Sequence, residues 1–182
     1  DGLTGNLRKQ LEVLNDYRFT DDEWARFYEQ SIVNVPSDEP NSVIAKARRI
    51  HEDYVQVLTR DDGTIKNIRL IDKTNIHRNK LQVIRQFAID TGERKNRYDV
   101  TILVNGLPLI HIELKRRGKA LREAFNQIDR YQRDSFHAAA GDGLFGYVQI
   151  FIISNGAHTK YYSNTVRLQH LTENHGQRRE VK

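Results

Sequence analysis

One stretch constrains the fold of this 182-residue chain more than any other: Thr101-Ile102-Leu103-Val104, then Asn105-Gly106-Leu107-Pro108, then Leu109-Ile110-His111-Ile112-Glu113-Leu114-Lys115. Apolar runs on either side of an Asn-Gly pair read as strand, turn, strand, because Asn and Gly tolerate the left-handed backbone of a tight hairpin. The second run alternates, with Ile110, Ile112 and Leu114 on one face and His111, Glu113 and Lys115 on the other. The simplest expectation is a half-buried sheet with the three apolar residues inward and the three polar ones in water. Register adds a condition. Asp99, at the start of the first run, shares a face with Glu113 only if the loop holds three residues, Asn105 to Leu107, or if a bulge shifts the phase. A strict two-residue turn would set the two carboxylates on opposite faces, so the spacing predicts a three-residue or bulged connection.

Two carboxylates from neighbouring strands, with a lysine two residues beyond the second, have a specific chemical use. A divalent cation that holds a phosphate needs hard oxygen ligands, and the mutual repulsion of paired carboxylates favours binding a cation between them. A cationic side chain on the same face can orient an attacking water and stabilise the charge that builds on phosphate oxygens. An acid two residues before a lysine is common in any charged protein. The setting gives it weight: the charges end a very apolar strand, where an unpaired buried charge is costly.

The next segment, Lys119 to Phe136, is an amphipathic helix on which Ala124, Phe125, Ile128 and Tyr131 are expected to pack on the sheet. Gln127 and Tyr131 are four residues apart and share a helical face. At the junction of strand and helix, Lys115, Arg116, Arg117, Lys119 and Arg122 concentrate positive charge where helix N-terminal amides can also hold phosphates. The whole chain is moderately basic, with 29 Lys and Arg against 24 Asp and Glu and a net charge of +5, so the positive field is local rather than uniform.

Other classes of chemistry are excluded. There is no cysteine, hence no disulfide and no thiolate metal site, and the seven histidines show no paired ligand spacing, so a metal would be held by oxygen and not be zinc. The glycines from Gly141 to Gly146 lack a following Gly-Lys-Ser or Gly-Lys-Thr, and no nucleotide-triphosphate signature occurs elsewhere. No run approaches the ~20 apolar residues of a membrane span and no signal peptide is evident, so the expectation is a soluble, cytoplasmic protein with no membrane partner. Methionine is absent even at position 1, which points to a fragment or to a sequence that has lost modified methionines.

Along the chain, residues 1–52 read as mainly helical. Leu3, Leu7, Leu11 and Leu14 recur at helical spacing, Thr20-Asp21-Asp22-Glu23 is a capping signal before Trp24, Phe27, Tyr28 and Ile32, and Val43 to Arg49 forms a further short helix after a loop over Pro36 to Asn41. Strands are expected at Tyr54 to Leu58 and Ile65 to Ile71 around the turn Asp61-Asp62-Gly63, and at Tyr147 to Ile153 and Thr159 to Ser163; Leu81 to Ile89 is a further apolar run. The order gives an α/β fold with a central mixed sheet flanked by helices, one domain over residues 1–163 with its core at 53–163, and a polar tail or linker at 164–182.

Three stretches resemble a known family: Leu70-Ile71-Asp72-Lys73 with Arg78-Asn79-Lys80, the run from Asn96 through Phe136, and Tyr147 through Tyr162 with Ser154-Asn155-Gly156. They are similar to the PD-(D/E)xK nuclease core, specifically the N-terminal endonuclease domain of the restriction (R) subunit of type I restriction enzymes. The resemblance implies a restriction-endonuclease-like fold, Asp99 and Glu113 as metal ligands with the Leu114 carbonyl as a further one, and Lys115 as the catalytic lysine. Gln127 and Tyr131 match the Gln-xxx-Tyr pattern of the RecB-type branch, which contributes to DNA engagement and activity; Arg116 and Arg117 stand beside the site as DNA-binding candidates. It further implies Mg²⁺, with Mn²⁺ as a substitute, double-stranded DNA as substrate, and cleavage that leaves a 5′ phosphate. The parent protein would carry an ATP-driven motor and assemble with modification and specificity subunits, ATP belonging to that motor and not to these residues. Members often add an acidic residue on a preceding helix; Glu12, Glu29 and Glu52 are candidates and none declares itself. Two rival readings are a catalytically silent DNA-binding or subunit-docking module of the same fold, and a structure-selective RecB-like nuclease.

Overall fold

The computed structural model describes residues 2–35, 43–90, 95–134 and 143–165. The expected loop over Pro36 to Asn41 and all but the first two residues of the tail lie outside them. The chain opens with α1 (Leu3–Asn15), which buries Leu7, Leu11 and Leu14 as the leucine spacing requires. Next, α2 (Asp21–Phe27) begins in a complete capping box: the Thr20 hydroxyl accepts the Glu23 amide and the Glu23 carboxylate accepts the Thr20 amide. It runs directly into a π-helical turn, Tyr28–Val33, and α3 spans Val43–His51. Buried Glu23 also accepts hydrogen bonds from the Tyr17 hydroxyl at 2.7 Å and the Asp61 amide at 3.1 Å, tying this helical layer to the turn of the first hairpin.

That hairpin, β1 (Val55–Thr59) and β2 (Ile65–Arg69), is a separate two-stranded sheet. The large sheet contains β3 (Leu81–Asp90), β4 (Lys95–Val104), β5 (Leu107–Leu114), β6 (Ile150–Ser154) and β7 (Thr159–Ser163), in spatial as well as chain order. The helix α4 (Leu121–Asp134) lies in the connection from β5 to β6. These two strands are parallel and all other pairs are antiparallel, so the sheet is mixed, as expected of the fold. The strand anticipated from Tyr147 starts only at Ile150, because Leu144–Tyr147 winds into a buried 3₁₀ turn whose Tyr147 hydroxyl donates to the Ile32 carbonyl at 2.8 Å. A short apolar run does not distinguish a strand from a buried turn.

Two apolar cores result. One joins α1, α2, α3 and the small hairpin through residues such as Leu7, Phe27, Ile50, Leu58 and Ile68. The other lies under α4, where Ala124, Ile128 and Tyr131 meet Tyr98, Phe151 and Ile153 of the large sheet. Among the described residues no helix is long and apolar enough to cross a membrane.

Candidate active site

The β4–β5 connection is a strict two-residue turn, with Asn105 at φ 51° and Gly106 at φ 86°. Beside it Val104 faces Leu107 and Leu103 faces Pro108, the phase that would separate the carboxylates. The register then shifts between Ile102 and Leu103, and Ile102 pairs with Ile110, Thr101 with His111 and Val100 with Ile112. Leu109 is the extra residue, and its carbonyl accepts the Gln149 amide at 2.8 Å. The bulge restores the phase that brings Asp99 toward Glu113, which is the condition the spacing set.

Past Val100 and Ile112 the ladder stops, and a side chain takes over its hydrogen bond: Asp99 Oδ2 accepts the Leu114 amide at 2.9 Å. Asp99 is partly buried. Glu113 is 0% exposed. Its Oε1 accepts from Lys115 Nζ at 2.9 Å, while its Oε2 lies 3.6 Å from His111 Nε2 and makes no hydrogen bond among the described residues. Lys115 also donates to Gln127 Oε1, Gln127 Nε2 donates to the Tyr131 hydroxyl, and that hydroxyl donates to the Arg97 carbonyl at 2.8 Å. The four-residue spacing of Gln127 and Tyr131 on α4 thus lets the tyrosine hold the glutamine that meets the lysine. Tyr131 is at once a core residue and part of this chain. Burial pushes its phenol above the ordinary value of 10.0, and the charges of Glu113 and Asp99 push the same way against the Gln127 hydrogen bond.

The expected orientation of β5 is reversed. His111 and Glu113 are fully buried, whereas Leu114 is 48% exposed and Ile110 and Ile112 only partly covered. The cause is α4, whose apolar stripe packs on the polar face of the strand together with Tyr98 and Phe151. Strand alternation specifies two faces but not which of them a distant helix will cover. Phe125, expected to pack with that stripe, is instead half-exposed against Tyr162.

Two clefts flank the site. One, of about 720 Å³, is lined by Arg85, Gln86, Asp99, Val100 and Leu114 to Arg116; the other, of about 520 Å³, lies along α4 and is lined in part by Lys119, Asn126, Gln127 and Arg130. Leu114, Lys115 and Arg116 line both, so the end of β5 forms the ridge between them. Arg117 is exposed and lines neither. Of the candidate extra acids, Glu12 accepts Arg8 Nε and the Phe19 amide, both at 3.1 Å, Glu29 and Glu52 are exposed, and none reaches a cleft. Among the described residues no group of three or more acidic or histidine side chains is placed to hold a metal.

In the site region Gln86 carried no sequence signal of its own, whereas Asn155, Asn105 and Asp72 stood out in the sequence as turn or family residues without showing what they hold together. Gln86, opposite Asp99 where the β3–β4 ladder skips a pair, has a left-handed backbone at φ 51°. Asn155 donates to the Lys119 carbonyl at 2.7 Å and accepts the Ala157 and His158 amides, clamping the β6–β7 turn to the start of α4. Asn105 bridges the Leu70 carbonyl, Asn79 and the Lys80 amide, and Asp72 caps the Thr74 and Asn75 amides. The stretches 70–73 and 78–80 are therefore a structural knot under the hairpin turn.

The donor set suits a small hard cation. Asp99 and Glu113 offer oxygens only, the ligand type such a cation takes, and Asp99 lines one of the clefts. Mg²⁺ needs no more than one or two protein carboxylates when substrate phosphate and water complete its shell.

Residues 1–170 match the family model described as type I restriction enzyme R protein N terminus. The chain is 53% identical over 165 residues to the type I restriction enzyme EcoprrI endonuclease subunit of Escherichia coli, covering 91% of this chain and 50% of that protein. It is 46% identical over 121 residues to the SauMSSORF170P endonuclease subunit of Staphylococcus aureus (66% of this chain, 12% of that protein). A putative type I restriction enzyme subunit of Methanocaldococcus jannaschii, MjaVIIIP, is 29% identical over 158 residues, 81% of this chain and 14% of that protein. The chain spans about half the length of the Escherichia coli relative and a much smaller part of the others. The fold, the match over residues 1–170 and the identity to these subunits place the chain in the family of type I restriction enzyme R protein N-terminal domains.

Proposed function

We propose that this chain is the DNA-cleaving domain of a type I restriction enzyme R subunit, hydrolysing phosphodiester bonds by in-line attack of water to leave a 5′ phosphate. The observation that carries the reading is Lys115 on the ridge between two clefts, held by buried Glu113 at 2.9 Å and by Gln127, with Asp99 lining one of those clefts. Asp99 and Glu113 are the residues that would hold Mg²⁺, or Mn²⁺ in its place, with the Leu114 carbonyl as a further ligand. A cation held by them would supply Lewis-acid polarisation of the phosphate and a more acidic attacking water.

The side chains supply the rest. Lys115 presents an ammonium to the scissile phosphate, where it stabilises developing negative charge and orients the attacking water. Gln127, itself held by Tyr131, limits the lysine to one direction, so the charge is in place before the substrate arrives. Arg116, exposed at the lip of both clefts, binds backbone phosphates, and Arg117 and Lys119 extend the positive field along the strand-to-helix junction. The site offers no means of choosing a sequence. Recognition is assigned to specificity and modification subunits of the parent complex, and delivery of unmodified DNA to an ATP-driven motor elsewhere in the parent protein.

Plasmid cleavage by the parent complex carrying Lys115→Ala, with ATP consumption followed in parallel, tests the assignment. Cleavage is expected to fall by at least ~10²-fold with ATPase retained; undiminished cleavage would refute it. The complete burial of Glu113 favours one rival, a silent DNA-binding or docking module. Metal titration separates them: Mn²⁺ binding by the wild type that is lost in Asp99→Ala excludes the silent module. Parallel assays on linear, circular and branched DNA test for a structure-selective nuclease.

A further inference from the structure

Glu113 belongs to a line of buried polar side chains that extends away from the clefts. Thr101 is 1% exposed, and His111 and Glu113 are 0% exposed. Thr101 Oγ1 lies 3.2 Å from His111 Nδ1, and His111 Nε2 lies 3.6 Å from Glu113 Oε2. The first contact is set by the sheet itself, since Thr101 and His111 are register partners across β4 and β5. The imidazole is enclosed by the rings of Tyr98, Tyr131 and Phe151, with centroids 5.4 Å, 6.2 Å and 6.2 Å away, and each meets it edge-on. Close packing of this kind leaves the ring one orientation.

A neutral imidazole has one donor and one acceptor nitrogen, and the partner of one decides the state of the other. A hydroxyl that donates to Nδ1 leaves the proton on Nε2, the nitrogen that faces Glu113. Hydrocarbon in place of this pair would pack as well on Tyr98 and Phe151 but would remove the imidazole nitrogen 3.6 Å from Glu113 Oε2.

We infer that Thr101 and His111 are positioning residues for Glu113. The threonine hydroxyl selects the tautomer, and the Nε2 proton faces the inner carboxylate oxygen and holds the group aimed at the site. The inference rests on the reading of Glu113 as a metal ligand under Proposed function. Partners that orient a ligand in this way typically change metal affinity by about 10- to 100-fold when removed.

The test measures Mn²⁺ binding calorimetrically on the full-length parent protein, without DNA or nucleotide, beside its thermal unfolding temperature. Thr101→Val keeps the shape and removes only the oxygen; it is expected to weaken Mn²⁺ binding several-fold at little cost in unfolding temperature. His111→Phe fills the ring volume without a nitrogen and is expected to weaken binding by about 10- to 100-fold, whereas His111→Gln, which retains a donor, recovers part of the loss. A packing role alone would move the unfolding temperature and leave the affinity unchanged. Wild-type affinity in both Thr101→Val and His111→Phe, with binding lost in Glu113→Gln, overturns the inference and leaves the site assignment standing. Wild-type affinity in Glu113→Gln overturns both. Should His111→Phe fail to fold, Thr101→Val decides alone.

Discussion

Gln86 shows how a single residue can contradict its surroundings. It sits in the middle of β3 with φ 51°, in a position where its neighbours Arg85 and Phe87 pair regularly with Val100 and Tyr98. A side chain with a Cβ pays about 1–2 kcal/mol for that conformation, and such strain persists where the surrounding structure imposes it. The break faces Asp99 and lines the same cleft. Replacing Gln86 with Gly removes the steric cost and adds chain entropy to the unfolded state, so the balance is a gain of about 0.5–1 kcal/mol, measurable by urea denaturation. A loss of stability instead would show that the side chain contributes contacts that outweigh the strain. Nothing in the local sequence marked this residue, because a glutamine in an apolar run reads as an ordinary strand position.

At the scale of elements, the hairpin carries the site and α1 holds the hairpin. Gly106 has φ 86°, and a Cβ built there would stand 2.6 Å from the Leu7 Cα, a backbone atom that cannot step aside. Gly106→Ala is therefore expected to destabilise the domain by more than about 1 kcal/mol, through displacement of α1 as well as through the turn; an unchanged unfolding midpoint would mean that helix and turn are not in such close contact. The Asn-Gly signal located this turn from sequence alone, and the alternation of β5 showed that Glu113 and Lys115 share a face. The parity of the register required a three-residue loop or a bulge, yet the bulge at Leu109 was not legible, since it depends on Gln149, just before β6, donating to the freed carbonyl. The capping box of α2 was legible because it is a local exchange between Thr20 and Glu23.

For the molecule as a whole, Lys46 reports how the helical layer is joined to the segment that leads into β6. Its ammonium, 1% exposed, donates to the Gly143 carbonyl at 2.7 Å and lies over the Tyr147 ring. Burial pushes it from the ordinary value of 10.5 down to about 8. Because the folded protein releases this proton more readily than the unfolded chain, stability rises with pH between about 8 and 10.5 and is lowest where the lysine is charged in both states. The gain is at most ~3 kcal/mol, and Lys46→Met is expected to abolish this part of the pH dependence of the unfolding free energy. A rise of equal size in the variant would refute the assignment. The amino-acid sequence by itself determined the helices, the mixed set of strands, the hairpin and the shared face of Glu113 and Lys115, because these follow from periodicity, turn chemistry and spacing along a few neighbouring residues. Only the tertiary structure decided that the polar face of β5 is the buried one, that Glu113 lies beneath the surface with Thr101 and His111 behind it, and that Lys115 is held by a helix. Which face is covered depends on packing between elements and not on the strand's own pattern, and α4, Tyr98 and Phe151 meet on that face in the folded sheet.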